Sequence, residues 1–149
     1  MTKSIYERCL DFKKKYPKTI IWRLKKHCDV VQNHLNDDEV CLYAFYGQKD
    51  TGITLPFYST VIVFTNKRML LGRKKFFGRY YYTSMTPDML NDFEIRANIL
   101  FGLVEVDTVK EHFIINCLDK RSLKKIEDAL SKYLVDEKIK YMKEKKDSK

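Results

Sequence analysis

The stretch Tyr58-Ser59-Thr60-Val61-Ile62-Val63-Phe64-Thr65-Asn66-Lys67-Arg68-Met69-Leu70-Leu71-Gly72-Arg73-Lys74 decides the fold. Two short runs rich in β-branched and apolar residues flank a polar break at Asn66-Lys67, the signature of two strands joined by a tight turn. Similar runs recur on both sides. Val40–Tyr46 reads as a strand, with Val40, Leu42, Ala44 and Tyr46 on one face and Cys41, Tyr43 and Phe45 on the other. Gly47–Pro56 reads as a loop, marked by Lys49-Asp50-Thr51-Gly52. Phe57–Thr65 and Arg68–Arg73 form the hairpin itself, and Phe76-Phe77-Gly78 a loop tip leading to Arg79–Ser84. Asp92–Ala97 follows the break at Thr86-Pro87-Asp88. Gly102–Val106 and Glu111–Cys117 close the series as a hairpin across Asp107-Thr108. Seven strands with turn signals this close together predict an antiparallel sheet, strongly bent or split into two packed layers.

Helices bracket the strands. A segment near 3–15 places Ile5, Cys9 and Phe12 on one side. A second pattern over 18–35, with Ile20, Ile21, Leu24, Cys28, Val31 and Leu35 on one face, predicts a helix entered at Pro17. Asp119 is a natural N-cap for a closing helix whose stripe is Leu123, Ile126, Leu130, Tyr133 and Leu134. That stripe needs an apolar surface, and the open corner of a bent sheet supplies one. The lysine-rich remainder reads as a frayed helix end or disorder. The organisation expected is an N-terminal helical extension over 1–36, a β-rich domain over 37–135 and a tail over 136–149.

Specific motifs give the β-rich domain a relative. Val61–Leu70 with its Thr65-Asn66-Lys67-Arg68 turn, the segment Met85–Ile95, and Leu100-Phe101-Gly102-Leu103-Val104-Glu105-Val106 resemble, in order and spacing, bacterial pleckstrin-homology-like (PH-like) domains of the YokE-like group. The resemblance covers about 37–134. It implies a mainly β, PH-like seven-stranded antiparallel barrel or sandwich capped by the C-terminal helix, here preceded by N-terminal helices.

Composition limits what the chain can be. At 149 residues it is most simply one domain, and 44% hydrophobic residues suffice for a packed core. No apolar run reaches the ~18 residues of a membrane-spanning helix, and the charged start Met1–Lys18 predicts no signal peptide. A cytoplasmic location is therefore expected, with reduced thiols. Cys28 on an apolar helical stripe and Cys41 in an apolar strand read as buried structural cysteines. The net charge of +9 is unevenly spread: 1–37 carries +5, 67–79 carries +6 with no acid, and the tail +2. Anionic partners fit such segments, although a merely solvated lysine surface is the plainer reading.

Catalytic and metal motifs are missing. No His-Glu-x-x-His, Gly-x-Ser-x-Gly or phosphate-loop pattern occurs. Cys9, His27, Cys28 and His34 could be assembled on paper into a metal site, but Cys28 and His34 fall on different sides of one helix. Asp37-Asp38-Glu39 reads as a solvated turn. No enzyme activity, metal or cofactor is expected. Lys75–Tyr82 alternates charge with aromatics like a single-strand nucleic-acid binder, yet it lacks the first glycine of that motif and the interstrand helices of that fold. Nucleic acid is not an expected partner. The loop Gly47–Pro56 holds only Lys49, whereas eukaryotic PH domains draw their phosphoinositide cluster from this loop, so inositol-phosphate binding there is not expected.

Two readings remain. The first is a non-enzymatic cytoplasmic PH-like adaptor that binds a protein or a second copy of itself. The alternative is a peripheral binder of anionic membrane surface, with Phe76 and Phe77 at the tip and Arg73, Lys74, Lys75 and Arg79 as a basic collar. The plain expectation for Phe76 and Phe77 is that they fold back onto the core.

Overall fold

In the computed structural model, residues 3–50 and 56–148 are described. Helices α1 (Ile5–Lys15) and α2 (Leu24–Gln32) precede seven strands: β1 (Cys41–Lys49), β2 (Ser59–Thr65), β3 (Met69–Lys74), β4 (Tyr80–Met85), β5 (Leu90–Ala97), β6 (Gly102–Thr108) and β7 (His112–Leu118). Helix α3 (Leu123–Lys132) follows, then a π-helical turn (Tyr133–Glu137) and α4 (Lys138–Asp147). The strands form one antiparallel sheet in the order β4-β3-β2-β1-β7-β6-β5, with β4 and β5 as edges. The seven antiparallel strands are those the PH-like reading implies, and they form one bent sheet left open between its edges rather than a closed barrel.

Both faces of β1–β3 are covered, which explains why all seven residues of β2 are buried. Register aligns Ala44 with Val63 and Leu70, and Tyr46 with Val61 and Gly72. This row takes the N-terminal helices. Phe12 packs edge-on to Tyr46 with ring centroids 5.0 Å apart. A Cβ on Gly72 would stand 2.4 Å from Cγ2 of Val31, so the glycine is what lets α2 approach the strand. The opposite row aligns Phe45, Ile62 and Leu71, then Phe64, Met69 and Met85. Here Phe64 meets Tyr133 at 5.0 Å, and Ile126 and Leu130 of α3 are fully buried. The helical stripe read from sequence does plug the bent sheet.

Several expectations need correction. The helix expected over 18–35 begins only at Leu24. The backbone of 18–22 is taken by other partners: Ile20 N–H donates to Cys117 O (3.1 Å), Ile20 O accepts from Gln48 Nε2 (3.0 Å), and Trp22 N–H donates to Ser59 Oγ (3.0 Å). Arg23, at φ +57°, then turns the chain into α2. Gly47–Lys49, expected in a loop, extends β1. Gly47 is a close-approach residue, since a Cβ there would lie 2.5 Å from Cγ2 of Ile115. The rest of that expected loop, Thr51–Leu55, lies outside the described residues. Phe57 sits in a 3-10 turn (Pro56–Tyr58) rather than a strand. The last hairpin turns across Val109-Lys110, with Thr108 N–H bonded to Glu111 O, instead of across Asp107-Thr108. Asp119 caps as expected, accepting from Arg121 N–H at 3.0 Å, but the capped element is a short 3-10 turn leading into α3. The lysine-rich tail is helical to Asp147, held by Lys138 Nζ on Leu90 O (2.9 Å) and by Lys145 beside Asp88 (3.9 Å).

Glu39 is also not solvated. Its side chain is fully buried and accepts from Arg68 Nη2 (2.7 Å), Arg68 Nε and Thr65 Oγ1 (2.7 Å). Burial works against its charge, but these donors outweigh it and the carboxyl titrates below its ordinary range. All four cysteines are buried.

Candidate functional site

The β3–β4 hairpin projects from one end of the sheet. Lys75 N–H donates to Arg79 O at 2.8 Å, and Arg79 N–H to Phe76 O at 3.4 Å. Phe77 and Gly78 between them have φ +61° and +77°. Two consecutive positive φ values are what a primed hairpin turn needs, and Asn-Gly or Gly-Gly normally provides them. Phenylalanine in this conformation is strained by its Cβ. The strain is not offset by packing, because Phe77 is 96% exposed.

Phe76 is half exposed and leans on a platform that the sequence reading missed. Its ring centroid lies 5.5 Å from Trp22 and 6.3 Å from Phe57, and Trp22 meets Phe57 edge-on at 5.4 Å. The expectation that Phe76 and Phe77 fold back onto the core is therefore overturned for both. The β1–β2 connection and the segment before α2 bring Phe57 and Trp22 up as a second aromatic tier. That tier accommodates Phe76 and leaves Phe77 bare.

Cations surround these rings. The Arg23 guanidinium lies 5.1 Å over Trp22 and 5.8 Å over Phe76. Arg73 is held 5.4 Å from both Tyr58 and Tyr81. Lys74 Nζ donates to Gly78 O at 3.3 Å, while Lys75 and Arg79 extend into solvent. Among the described residues, none of Arg23, Arg73, Lys74, Lys75 and Arg79 joins an ion pair. The carboxylate nearest in effect, Asp50, is neutralised by Lys49 at 2.5 Å. All six residues singled out from sequence thus sit in one place, joined by Trp22, Arg23, Phe57 and Tyr58. A signal for these four existed. Trp22 and Arg23 stand off the apolar stripe assigned to their helix, and Pro56-Phe57-Tyr58 sets two aromatics directly behind a chain-breaking proline.

His27 anchors this end to the body of the protein. Its Nδ1 accepts from Lys74 N–H at 2.8 Å, so Nε2 carries the proton and donates to Trp22 O at 2.7 Å. Burial pushes its pKa down to about 4. With both ring nitrogens occupied, His27 has no lone pair to offer a metal.

Residues 35–132 match the bacterial PH domain family. A pleckstrin homology domain from Shewanella amazonensis SB2B, known from its crystal structure, is 19% identical. The alignment covers 70% of this chain and 92% of that one, with a TM-score of 0.51. A DUF1696 family protein with a pleckstrin-homology domain from Shewanella loihica PV-4 is 17% identical over 68% of this chain and 86% of that one, with a TM-score of 0.48. No curated protein matches the chain. The match covers well over half of the sequence and coincides with the seven strands and α3: the chain belongs to the bacterial PH domain family.

Proposed function

We propose that this PH domain protein binds anionic membrane surface peripherally, seated by the β3–β4 hairpin. The observation that carries this reading is Phe77, a bare aromatic on a strained turn whose hairpin and supporting aromatic platform carry five cations free of ion pairs. Strain at an exposed residue is the kind of local cost that function maintains. A phenylalanine that finds no partner in the protein finds one in the acyl boundary of a bilayer. The collar adds up to ~1 kcal/mol per basic residue near an anionic surface. The role is non-enzymatic and cytoplasmic: the hairpin tip docks, and the sheet behind it holds the tip rigid.

The test is sedimentation with phosphatidylcholine vesicles, with and without phosphatidylserine, at low and high salt. Binding is expected only with the anionic lipid and should weaken as salt screens the collar, whose reach is ~10 Å at 0.1 M. Lys74→Glu with Lys75→Glu should abolish it. If the wild-type protein ignores anionic vesicles at low salt, the reading fails.

A second reading, the protein-binding adaptor, is favoured by a different surface. Val135, Ile139 and Met142 stand exposed at helical spacing along the π-turn and α4, and an apolar stripe left bare on a helix suits a partner helix.

A further inference from the structure

A cleft of about 560 Å³ opens on the flank of the same hairpin, between α2 and the start of β4. Lys26, Asn33 and His34 line it from the helical side, and Lys74 and Tyr80 from the hairpin. We infer that this cleft binds a phosphate monoester group. The inference rests on the membrane reading above and gives it a headgroup preference.

Charge and geometry both point to a compact anion with several oxygens. The two ammonium groups come from different elements, so the site exists only in the folded protein. The Lys26 ammonium joins no ion pair or hydrogen bond among the described residues, and Lys74 Nζ is engaged only with a carbonyl. The lone carboxylate in the lining, Asp29, is held by Lys25 at 3.2 Å. The end of α2 contributes carbonyl dipoles equivalent to roughly half a negative charge, which two full positive charges outweigh. Lysine acts as a point charge towards phosphate and does not demand the bidentate geometry an arginine would.

The remaining groups supply neutral hydrogen bonds on a fixed frame. His34 donates through Nδ1 to Val30 O at 2.7 Å and stacks on Tyr82 at 3.7 Å and 10°, which locks the ring and leaves the Nε2 lone pair to accept from the P–OH of a monoanionic phosphate ester. Asn33 offers an amide and Tyr80 a half-exposed phenol. The bond from Lys74 N–H to His27 ties the two walls together, so little reorganisation is needed on binding. The volume lies in the range of small-ligand sites. The helical wall precedes residue 35, outside the stretch matched by the family, so this cleft is a property of the whole chain.

The shared chemistry could come from a lipid headgroup or from a soluble phosphate ester, and two arms separate them. In the first, vesicles containing phosphatidic acid, a phosphate monoester, are compared with phosphatidylserine vesicles adjusted to equal surface potential. Tighter binding to phosphatidic acid is expected. Lys26→Gln and, separately, His34→Phe should each remove about tenfold of that preference while leaving phosphatidylserine binding intact. In the second, glycerol 3-phosphate is titrated while backbone amide shifts are followed by NMR. Saturable shifts confined to Lys26, Asn33, His34, Lys74 and Tyr80, lost in both variants, would support the cleft even if no vesicle bound, in which case the membrane reading alone would fall. Equal binding to both lipids together with no saturable shifts would overturn the cleft and leave the membrane reading standing. Unchanged melting temperatures of the variants certify their folds.

Discussion

The backbone amide of Lys74 donates to Nδ1 of His27 across 47 residues of chain, at 2.8 Å. This single bond fastens the end of β3 to the first turn of α2, and the other ring nitrogen holds Trp22 O. One buried imidazole therefore positions the hairpin and the aromatic platform together, and only its neutral form can do so.

Acid should expose this dependence. The pKa of His27 is about 4 in the folded protein against an ordinary 6.5, so the unfolded chain binds the proton more readily. Stability must then fall as pH drops from 6.5 towards 4, by up to about 3 kcal/mol. Urea midpoints measured across this range should show the loss. His27→Gln, whose amide can accept from Lys74 and donate to Trp22, should lack this component of the acid limb. Parallel curves for the two proteins would refute the role assigned to His27.

Phe77 should behave as a residue retained at the expense of stability. Phe77→Asn relieves the left-handed strain and loses no packing, so the protein should become more stable by about 0.5–1 kcal/mol. Binding to anionic vesicles should fall in the same variant. A stability loss would show that the ring packs against the protein after all.

Trp22 is the sole tryptophan and belongs to the aromatic platform, so it reports on docking. Its emission should shift to the blue on adding phosphatidylserine vesicles at low salt and return on adding salt. Phe76→Ala should red-shift the emission of the free protein by uncovering the indole.

Breaking the Glu39–Arg68 pair should be costly. Glu39→Ala strands a guanidinium that is four-fifths buried, and about 3–5 kcal/mol is the expected loss, read from chemical denaturation. Glu39→Gln should lose less, because its amide oxygen still accepts from Arg68. A change under about 0.5 kcal/mol in the alanine variant would place this pair with ordinary surface salt bridges.

The plugging helix makes a further claim. Leu130→Ala or Ile126→Ala should cost about 2–5 kcal/mol in chemical denaturation, since both side chains are at most 1% exposed against the bent sheet.

The strands and the closing helix were legible because their periodicity is local: Val61–Phe64 and Met69–Leu71 announce themselves, and Ile126 and Leu130 fall on one helical stripe. The helix start was not. Ile20 and Ile21 fit a helical stripe perfectly well, and what keeps them out of the helix is Cys117 O and Gln48, residues that no window around position 20 contains. Gly47 misled for the same reason, since its neighbour Ile115 is distant in sequence. Of the site, the basic collar and the tip were visible as a charge run beside adjacent aromatics. The platform was not, because Trp22 and Phe57 reach Phe76 from segments that only the tertiary fold brings together. Glu39 reads as one acid among three, and its burial follows from a partner 29 residues away.

The segment before α2 has a consequence in time as well as in space. Lys18 N–H bonds Asp119, Thr19 Oγ1 accepts from Asp119 N–H at 2.8 Å, and Ile20 bonds Cys117, so the link between α1 and α2 is clasped by the last strand and the residue that follows it. Contacts spanning about a hundred residues form late and slow the search for the native state. During synthesis α1 and α2 leave the ribosome before the strands and can pack on β1–β3, yet the link between them cannot be clasped until β7 has emerged. A chain stalled or truncated before residue 119 would leave residues 18–20 unclasped, so the segment that leads to Trp22 is completed only when the whole domain has been made.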